Sequence, residues 1–137
     1  MNRTKIFDLD FISEHDIVKV VNNIIDNVGL YGEEQLPFLI TPNLNDIIVY
    51  NLPENNVLKS SLVKSQFILP DGQPIIWASR LLLEKAIVKR LPGSDIFPLM
   101  WEKAIVNNIS ILLLLPNDVI AAKLKAEYPS AYTYVLP

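Results

Sequence analysis

The sequence contains no cysteine, and it has only four glycines and one histidine among its 137 residues. Without cysteine the chain cannot form disulfides, cysteine-ligated zinc sites or a thiol nucleophile. The single histidine, His15, also excludes a histidine-rich metal site. His15 falls within a predicted helix cap and is expected on the surface. These absences remove cysteine-ligated metal sites, thiol nucleophiles and histidine-rich metal sites from consideration.

Long hydrophobic runs and a basic charge balance are also missing. The apolar stretch ISILLLL at residues 109–115 is far shorter than the roughly 18 residues of a membrane span. The N-terminus, MNRTKIFDLDF, carries acidic residues where a signal peptide has its apolar region, so a cytoplasmic location is expected. The 12 basic and 15 acidic residues give a net charge of -3, which argues against a nucleic-acid partner.

The composition is that of a folded globular domain. Hydrophobic residues make up 50% of the chain, and 137 residues are enough for one core but not comfortably for two. We therefore predict a single domain over residues 1–137. The mean hydropathy of +0.28 is high for so small a domain. It predicts an uncovered apolar surface that a homo-oligomer or a partner subunit would bury.

Strand-like and helix-like patterns alternate along the chain. The pattern at residues 5–12 predicts a strand with one solvent-exposed face. Ser13 and Asp16 are then predicted to form a capping box before a helix that ends at Gly29. Short apolar strands are predicted at 37–41, 66–70, 109–115 and 132–136, and the first three of them are expected to be buried. Helices are predicted at 43–50, 55–65, 74–86, 94–107 and 117–128. This order predicts an α/β fold with a Rossmann-like open, mostly parallel sheet flanked by helices.

Polar side chains follow the predicted strands at the edge where open parallel sheets bind ligands. Thr41-Pro42-Asn43 follows one strand and Asp71-Gly72-Gln73 the next. The loop after the next helix brings Arg90 and then Gly93-Ser94-Asp95. A carboxylate at a strand end suits a general base, and a glycine allows a ligand close to the backbone. Arginine is a bidentate phosphate donor, and a helix start favours anions.

Each of these signals also has an ordinary structural interpretation. Asp-Gly is a common turn, Thr-Pro-Asn ends a strand, and Gly-Ser-Asp is a usual helix start, where Ser94 would be the cap. The basic residues between 80 and 90 could be the solvated face of a helix. Trp77 and Trp101 lie among apolar helical neighbours, which favours the core or an interface over a stacking platform.

Taken in order, the motifs resemble those of the WecG/TagA/CpsF glycosyltransferases. The matching segments are TPN at 41–43, LPDG at 69–72, WASRLL at 77–82 and the R-x-x-G-S-D-I-F-P run at 90–98. The resemblance covers residues 5–137, and its most specific part is 69–98. These bacterial enzymes transfer N-acetylmannosamine or a related sugar from a UDP-sugar to a polyprenyl-diphosphate-linked acceptor. The resemblance implies a part in envelope polysaccharide synthesis, with no metal or other cofactor.

The resemblance also implies roles for individual residues. Asp71 would be the base that takes the proton from the acceptor hydroxyl in an inverting displacement, and Thr41 would belong to the same catalytic pocket. The substrate-binding residues would be Asn43, Gly72, Arg90, Gly93, Ser94 and Asp95, with Arg90 opposite the diphosphate. A lipid-linked saccharide acceptor implies peripheral contact with the inner face of the cell membrane.

The sequence departs from the family pattern at three points. Pro74 replaces the second glycine of D-G-x-G, and the loop after the strand at 109–115 reads PND without the expected glycine. The family pattern continues beyond YTYVLP, so we expect its C-terminal part to be absent. An alternative therefore stays open, in which the chain is a truncated or degenerate homologue that acts as a binding or assembly module in a polysaccharide-synthesis complex.

Overall fold

The structure is a computed structural model that describes residues 1–27, 30 and 35–136. The chain divides into two compact units, Met1–Met100 and Trp101–Pro137. The prediction of a single domain stays a prediction.

The N-terminal segment forms two strands, β1 (Arg3–Ile6) and β2 (Leu9–Ile12), which pair antiparallel. The prediction of one strand over 5–12 was therefore wrong. Phe7 and Asp8 have φ angles of 55° and 64°, the left-handed conformation that closes a two-residue hairpin. The sequence lacks the Asn-Gly or Asp-Gly signal usual for this turn. The Asp8 carboxylate instead pairs with Lys59 Nζ at 2.8 Å.

Helix α1 (Ile17–Asp26) begins later than the capping box predicts, because Asp16 and not Ser13 is its N-cap. The Asp16 carboxylate accepts hydrogen bonds from the Val18 and Lys19 amides at 2.9 and 3.2 Å. Ser13 is buried, and its hydroxyl accepts a hydrogen bond from the Val88 amide at 3.2 Å. The predicted C-cap, Gly29, lies outside the described residues.

Strands β3 (Leu36–Ile40) and β4 (Ser65–Ile68) form a parallel pair, as predicted for this part of the chain. The connection between them contains α2 (Leu44–Tyr50), a 3₁₀ turn (Pro53–Asn55) and α3 (Asn56–Leu62). The predicted helix over 55–65 thus corresponds to α3. All four residues of β4 are buried, whereas Phe38 of β3 is 48% exposed.

Strand β4 separates two apolar clusters because its side chains alternate between the faces of the sheet. Ile68 belongs to a cluster with α2 and with Ile75 and Ile76 of the next helix. Phe67 and Leu69 belong to the other cluster, with α1 and Ile96. Helices therefore cover both faces of this strand, which explains its continuous apolar sequence.

Helix α4 (Gln73–Leu82) ends four residues before the predicted boundary. The buried Ser79 hydroxyl donates to Ile76 O at 2.8 Å and accepts a hydrogen bond from the Ile87 amide at 3.0 Å. Ile87 is fully buried, so the chain must leave the helix at Leu83 and turn back to place Ile87 in the core. Trp77 of this helix is 60% exposed, so it is not a core residue.

Helix α5 (Gly93–Val106) contributes its first residues to the first unit and its last residues to the second. In the second unit, β5 (Leu112–Leu115) and β6 (Tyr132–Val135) pair parallel through α6 (Asp118–Glu127). The prediction that residues 109–115 form a buried strand was wrong. Leu112 and Leu114 are 64% and 61% exposed.

The described architecture is mixed α/β with short strand pairs, two of them parallel. The larger Rossmann-like open sheet stays a prediction, since the described strands form three separate pairs. In the part of the chain that the structure describes, no helix combines the length and apolarity required to cross a membrane.

The acid stability of the first unit should depend on Glu14. The Asn2 amide donates to its carboxylate at 2.8 Å, and this bond, with Lys19 nearby, lowers the Glu14 pKa below its ordinary value of 4.5. A lowered pKa stabilises the folded state above pH 4.5, and the stabilisation disappears as the pH falls through the folded-state pKa.

We expect Glu14→Gln to flatten the loss of stability on the acid side. The measurement is the free energy of unfolding in urea at a series of pH values from about 6 to about 3. Glu127→Gln, an exposed change of the same kind, is the control. Parallel pH curves for the wild type and Glu14→Gln would contradict the assignment.

Candidate active site

Two main-chain hydrogen bonds join the segments that follow β3 and β4. The Leu69 amide donates to Ile40 O at 2.9 Å, and the Asp71 amide donates to Pro42 O at 3.2 Å. The pairing of the strands thus continues for several residues past their ends. It places Thr41-Pro42-Asn43 beside Asp71-Gly72 at the carboxyl edge of the pair.

The loop after α4 returns to the same edge. The Leu91 amide donates to Pro70 O at 2.7 Å, which places Arg90 near the segment that carries Asp71. Gly93 lies against Thr41, since a methyl group at Gly93 would be 3.1 Å from Thr41 Oγ1. The structure therefore brings together all the segments that the sequence singles out, although the roles of their residues stay predictions.

Asp71 is half-buried, and its carboxylate accepts no hydrogen bond within the described part of the chain. The main chain on either side fixes its position. Its own amide bonds to Pro42 O, and Gly72 directly after it is the N-cap residue of α4. Such a carboxylate is held in place by the backbone while its oxygens remain available to a substrate hydroxyl.

Gly72 has a φ of 101° and a ψ of 138°, a conformation that side chains rarely allow. The main chain therefore turns sharply between Asp71 and the helix. Pro74 lies in the first turn of α4, where a backbone N–H would have no acceptor within the helix, so proline costs no helical hydrogen bond there. Pro74 therefore leaves the helix intact. Its ring lies beside Gly72, because a Cβ added to Gly72 would be 3.7 Å from Pro74 Cδ.

The Asn43 side chain is partly committed to the fold. Its Oδ1 accepts hydrogen bonds from the Asn45 and Asp46 amides at 2.8 and 3.2 Å. Asp46 Oδ2 in turn accepts from the Asn43 amide at 2.9 Å, which completes a capping box at the start of α2. The side-chain NH₂ of Asn43 is the group left to donate to a ligand.

Arg90, Ser94 and Asp95 are exposed. The predicted role of Ser94 as a helix cap was wrong, because α5 already begins at Gly93. The Ser94 hydroxyl donates to Asp95 Oδ1 at 3.3 Å, so these two side chains bond to each other. The Asp95 carboxylate adds negative charge in the first turn of α5, which opposes anion binding there. Arg90 is the cation that the described structure offers a diphosphate at this edge.

A hollow of about 290 Å³ lies beside Thr41, and the sequence alone did not predict it. Its walls are mostly apolar and come from the end of β3, from α2 and from α3. They include Ile40, Pro42, Asp46, Val49, Tyr50, Leu58 and Leu62. Asp46, Val49 and Tyr50 follow the helical spacing of one face of α2, which is the signal that could have located this wall.

A separate hollow of about 330 Å³ belongs to the second unit, at the amino ends of β5 and β6. Trp101 and Tyr128 line it, with ring centroids 4.8 Å apart in an edge-to-face arrangement. None of the predicted site residues lines this hollow. In residues 1–27, 30 and 35–136, no group of three His, Asp or Glu side chains comes together as a metal site.

Comparison with protein families matches residues 4–135 to the Glycosyl transferase WecG/TagA/CpsF family. The match spans almost the whole chain and includes every segment at the β3–β4 edge. This chain therefore belongs to that family of glycosyltransferases, which confirms the resemblance inferred from the sequence motifs. Comparison with curated proteins finds no match.

Replacement of Gly72 by alanine should destabilise the protein by about 1–3 kcal/mol, because a Cβ strains the backbone at positive φ. The neighbouring space is not the cause, since Asn43 Cβ would be 3.8 Å from the new methyl group. Chemical denaturation of Gly72→Ala beside Gln73→Ala, an exposed position one residue later, measures the difference. Equal stability of the two variants would contradict the strained turn.

Proposed function

We propose that this chain transfers N-acetylmannosamine or a related sugar from a UDP-sugar to a polyprenyl-diphosphate-linked saccharide, in the synthesis of a bacterial envelope polysaccharide. Membership of the family supports the class of reaction. The observation that carries the proposal is the position of Asp71. Its carboxylate accepts no hydrogen bond among the described residues, and it lies at the edge to which Thr41, Asn43 and Arg90 are also brought.

In the proposed reaction, the Asp71 carboxylate takes the proton from the acceptor sugar hydroxyl. The hydroxyl oxygen forms a bond to the anomeric carbon of the donor, and the bond from that carbon to the UDP oxygen breaks. UDP leaves with the bonding electrons, and the configuration at the anomeric carbon is inverted. The contribution of Asp71 is a fixed position within reach of the hydroxyl, which general-base catalysis requires.

The donor would lie across the remaining groups of the edge. Arg90 supplies a charge-assisted donor for the diphosphate. The Gly93 main chain packs closely against the Thr41 side chain and fixes its position at this edge. The Asn43 NH₂ adds a donor for a sugar oxygen. The apolar hollow beside Thr41 suits the acetyl methyl group of an N-acetylated sugar.

Two observations favour the second candidate function, a non-catalytic binding or assembly module of the same family. The turn after β5 is Pro116-Asn117, and the Asn117 side chain caps α6 by accepting the Ile120 amide at 3.0 Å. That helix start therefore has no glycine for a close phosphate approach. The Pro74 ring also adds bulk next to Gly72. This module would bind a partner subunit and show no turnover with any nucleotide sugar.

Asp71→Asn should lower kcat by about 10²–10⁴-fold, because the amide cannot accept the proton in the transition state. UDP binding and the free energy of unfolding should stay close to those of the wild type. Asp118→Asn, in the first turn of α6, is the control for the change of charge. Turnover by Asp71→Asn at the wild-type rate would remove Asp71 from the mechanism.

Arg90→Ala should weaken UDP binding by about 10–100-fold, the range expected for a hydrogen bond to a charged group. Calorimetric titration of the purified chain with UDP and UDP-N-acetylmannosamine measures this change. Lys89→Ala removes a neighbouring exposed charge and is the matched control. A Kd of about 1 mM corresponds to a binding free energy of only about 4 kcal/mol in magnitude. A folded wild-type chain that does not bind UDP even at about 1 mM would therefore favour the binding module.

A further inference from the structure

The hollow at the amino ends of β5 and β6 lies within the second unit, and the proposed function uses none of the residues that line it. Its volume of about 330 Å³ falls at the lower end of the range of about 300–1,000 Å³ typical of small-molecule pockets. The Tyr132 amide donates to Ile111 O at 2.9 Å and holds the two strand starts together. The hollow is therefore a built feature of this unit and a candidate for a second ligand.

Three aromatic side chains line this hollow: Trp101, Tyr128 and Tyr132. Trp101 and Tyr128 pack edge to face, with an angle of 82° between the ring planes. Tyr132 is 64% exposed, so most of its ring is accessible to a ligand. A tyrosine ring offers an apolar face together with a hydroxyl that forms hydrogen bonds.

The other functional groups of the hollow are uncharged and polar. They are the side-chain amide of Asn108 and the hydroxyls of Ser110 and Ser130. None of these three side chains is hydrogen-bonded to another residue that the structure describes. Among the described residues that line the hollow, none carries a formal charge. The hollow thus combines aromatic surface with neutral donors and acceptors.

The position of Asn108 is fixed by the end of α5. Its φ of 53° is the left-handed conformation that asparagine tolerates after a helix. The Asn108 amide donates to Ile105 O at 3.1 Å, and the Ile109 amide donates to Ala104 O at 2.8 Å. These two bonds form a Schellman motif, so the main chain that carries the Asn108 amide is held in one conformation.

The position of Ser130 is fixed by a tight turn after α6. The Ala131 amide donates to Tyr128 O at 3.1 Å and closes a four-residue turn with Pro129 as its second residue. Proline at that position restricts the turn before any ligand arrives. A ligand that bonds to Ser130 therefore pays little entropy to order the loop.

We propose that this hollow is a second binding site of the protein, which takes a neutral saccharide. The apolar C–H face of a pyranose ring would pack on the Tyr132 ring, beside Trp101. The sugar hydroxyls would exchange hydrogen bonds with Asn108, Ser110 and Ser130, which are otherwise unpartnered within the described chain. The proposal goes beyond the proposed function and does not depend on it, because the two sites share no residue.

The chemistry of the hollow disfavours other classes of ligand. Helices α5 and α6 both end beside it, and the partial negative charge of a helix C-terminus opposes an anion. The described lining has no carboxylate to pair with a cation. A purely apolar ligand would bury Asn108 and the two serines without hydrogen bonds, which is costly. A ligand with one apolar face and several hydroxyls satisfies all of these groups.

The test uses Trp101 as the reporter of binding. The chain has two tryptophans, so Trp77→Phe leaves Trp101 as the only one. We expect N-acetylglucosamine, N-acetylmannosamine and mannose to change the Trp101 fluorescence saturably, with a Kd of about 1 mM for the best of them, an affinity expected of a small polar ligand. N-acetylglucosamine 6-phosphate, an anion, should bind more weakly than N-acetylglucosamine.

Tyr132→Ala in this background should weaken saccharide binding by about 10-fold, because the ring that stacks on the sugar is lost. Tyr134→Ala is the matched control. Tyr134 belongs to the same strand and is 55% exposed, but it does not line the hollow. Its replacement should leave the Kd within about 2-fold of the parent value.

Asn108→Gly should weaken binding by about 3–10-fold, the range expected for the loss of one neutral hydrogen bond. Glycine keeps the left-handed conformation after α5, so the variant removes the amide and preserves the turn. Asn107→Gly makes the same change one residue earlier, outside the hollow, and should bind normally. Circular dichroism of each variant checks that it is folded.

Three outcomes would overturn the proposal. They are no saturable response of the folded chain to any of the three sugars, equal effects of the hollow and control variants, and tighter binding of tetramethylammonium than of the sugars, which would assign the hollow to a cation. Asp71→Asn should leave the Trp101 response unchanged, because Asp71 does not line the hollow. Failure of saccharide binding here and failure of the proposed catalysis are therefore distinguishable.

Discussion

Main-chain hydrogen bonds that extend the pairing of β3 and β4 determine where the functional groups of this protein can lie. The Leu69 and Asp71 amides reach back to Ile40 and Pro42, and Pro70 O accepts the Leu91 amide. These bonds do not depend on side-chain identity, so they position the loops while leaving the side chains available. Asp71 illustrates the result, since its amide is bonded to Pro42 O while its carboxylate accepts no hydrogen bond from the residues that the structure describes.

The burial of β4 on both faces gives this arrangement its rigidity. Ile68 packs with α2 and α4, whereas Phe67 and Leu69 pack with α1 and the start of α5. Close packing on two sides leaves the strand little freedom to shift. Any displacement of its carboxyl end would therefore disturb two cores. The edge that carries Asp71 is thus supported from both faces of the strand pair.

Helix α4 connects this edge to the protein surface. Its first residues follow Asp71 directly, its inner face supports the core through Ile75 and Ile76, and its outer face exposes Trp77 and Leu81. The buried Ser79 hydroxyl joins the helix to the returning loop. One short element therefore links the candidate base to the core and to an exposed apolar face.

The departures from the family pattern are accommodated locally. Pro74 fits the first turn of α4, and Asn117 caps α6 in place of a glycine-containing loop. Both substitutions preserve the helices. What they change is the access of a ligand to the backbone, which depends on the space above Gly72 and on the start of α6.

Sequence patterns determined the elements whose signals are local. Helices α2 and α6 begin after the capping residues Asn43 and Asn117, and β4 coincides with an apolar run. These elements were predictable because helix capping and burial each require particular residue types at particular positions. The motifs also determined the family. Features that depend on distant partners were not predicted: the Phe7-Asp8 turn, the end of α4 at Leu82, and the exposure of Leu112, Leu114 and Trp77. Only the tertiary structure decided these, because the hydrogen bond from the Ile87 amide to Ser79 Oγ and the extent to which each side chain is buried depend on residues outside the local pattern.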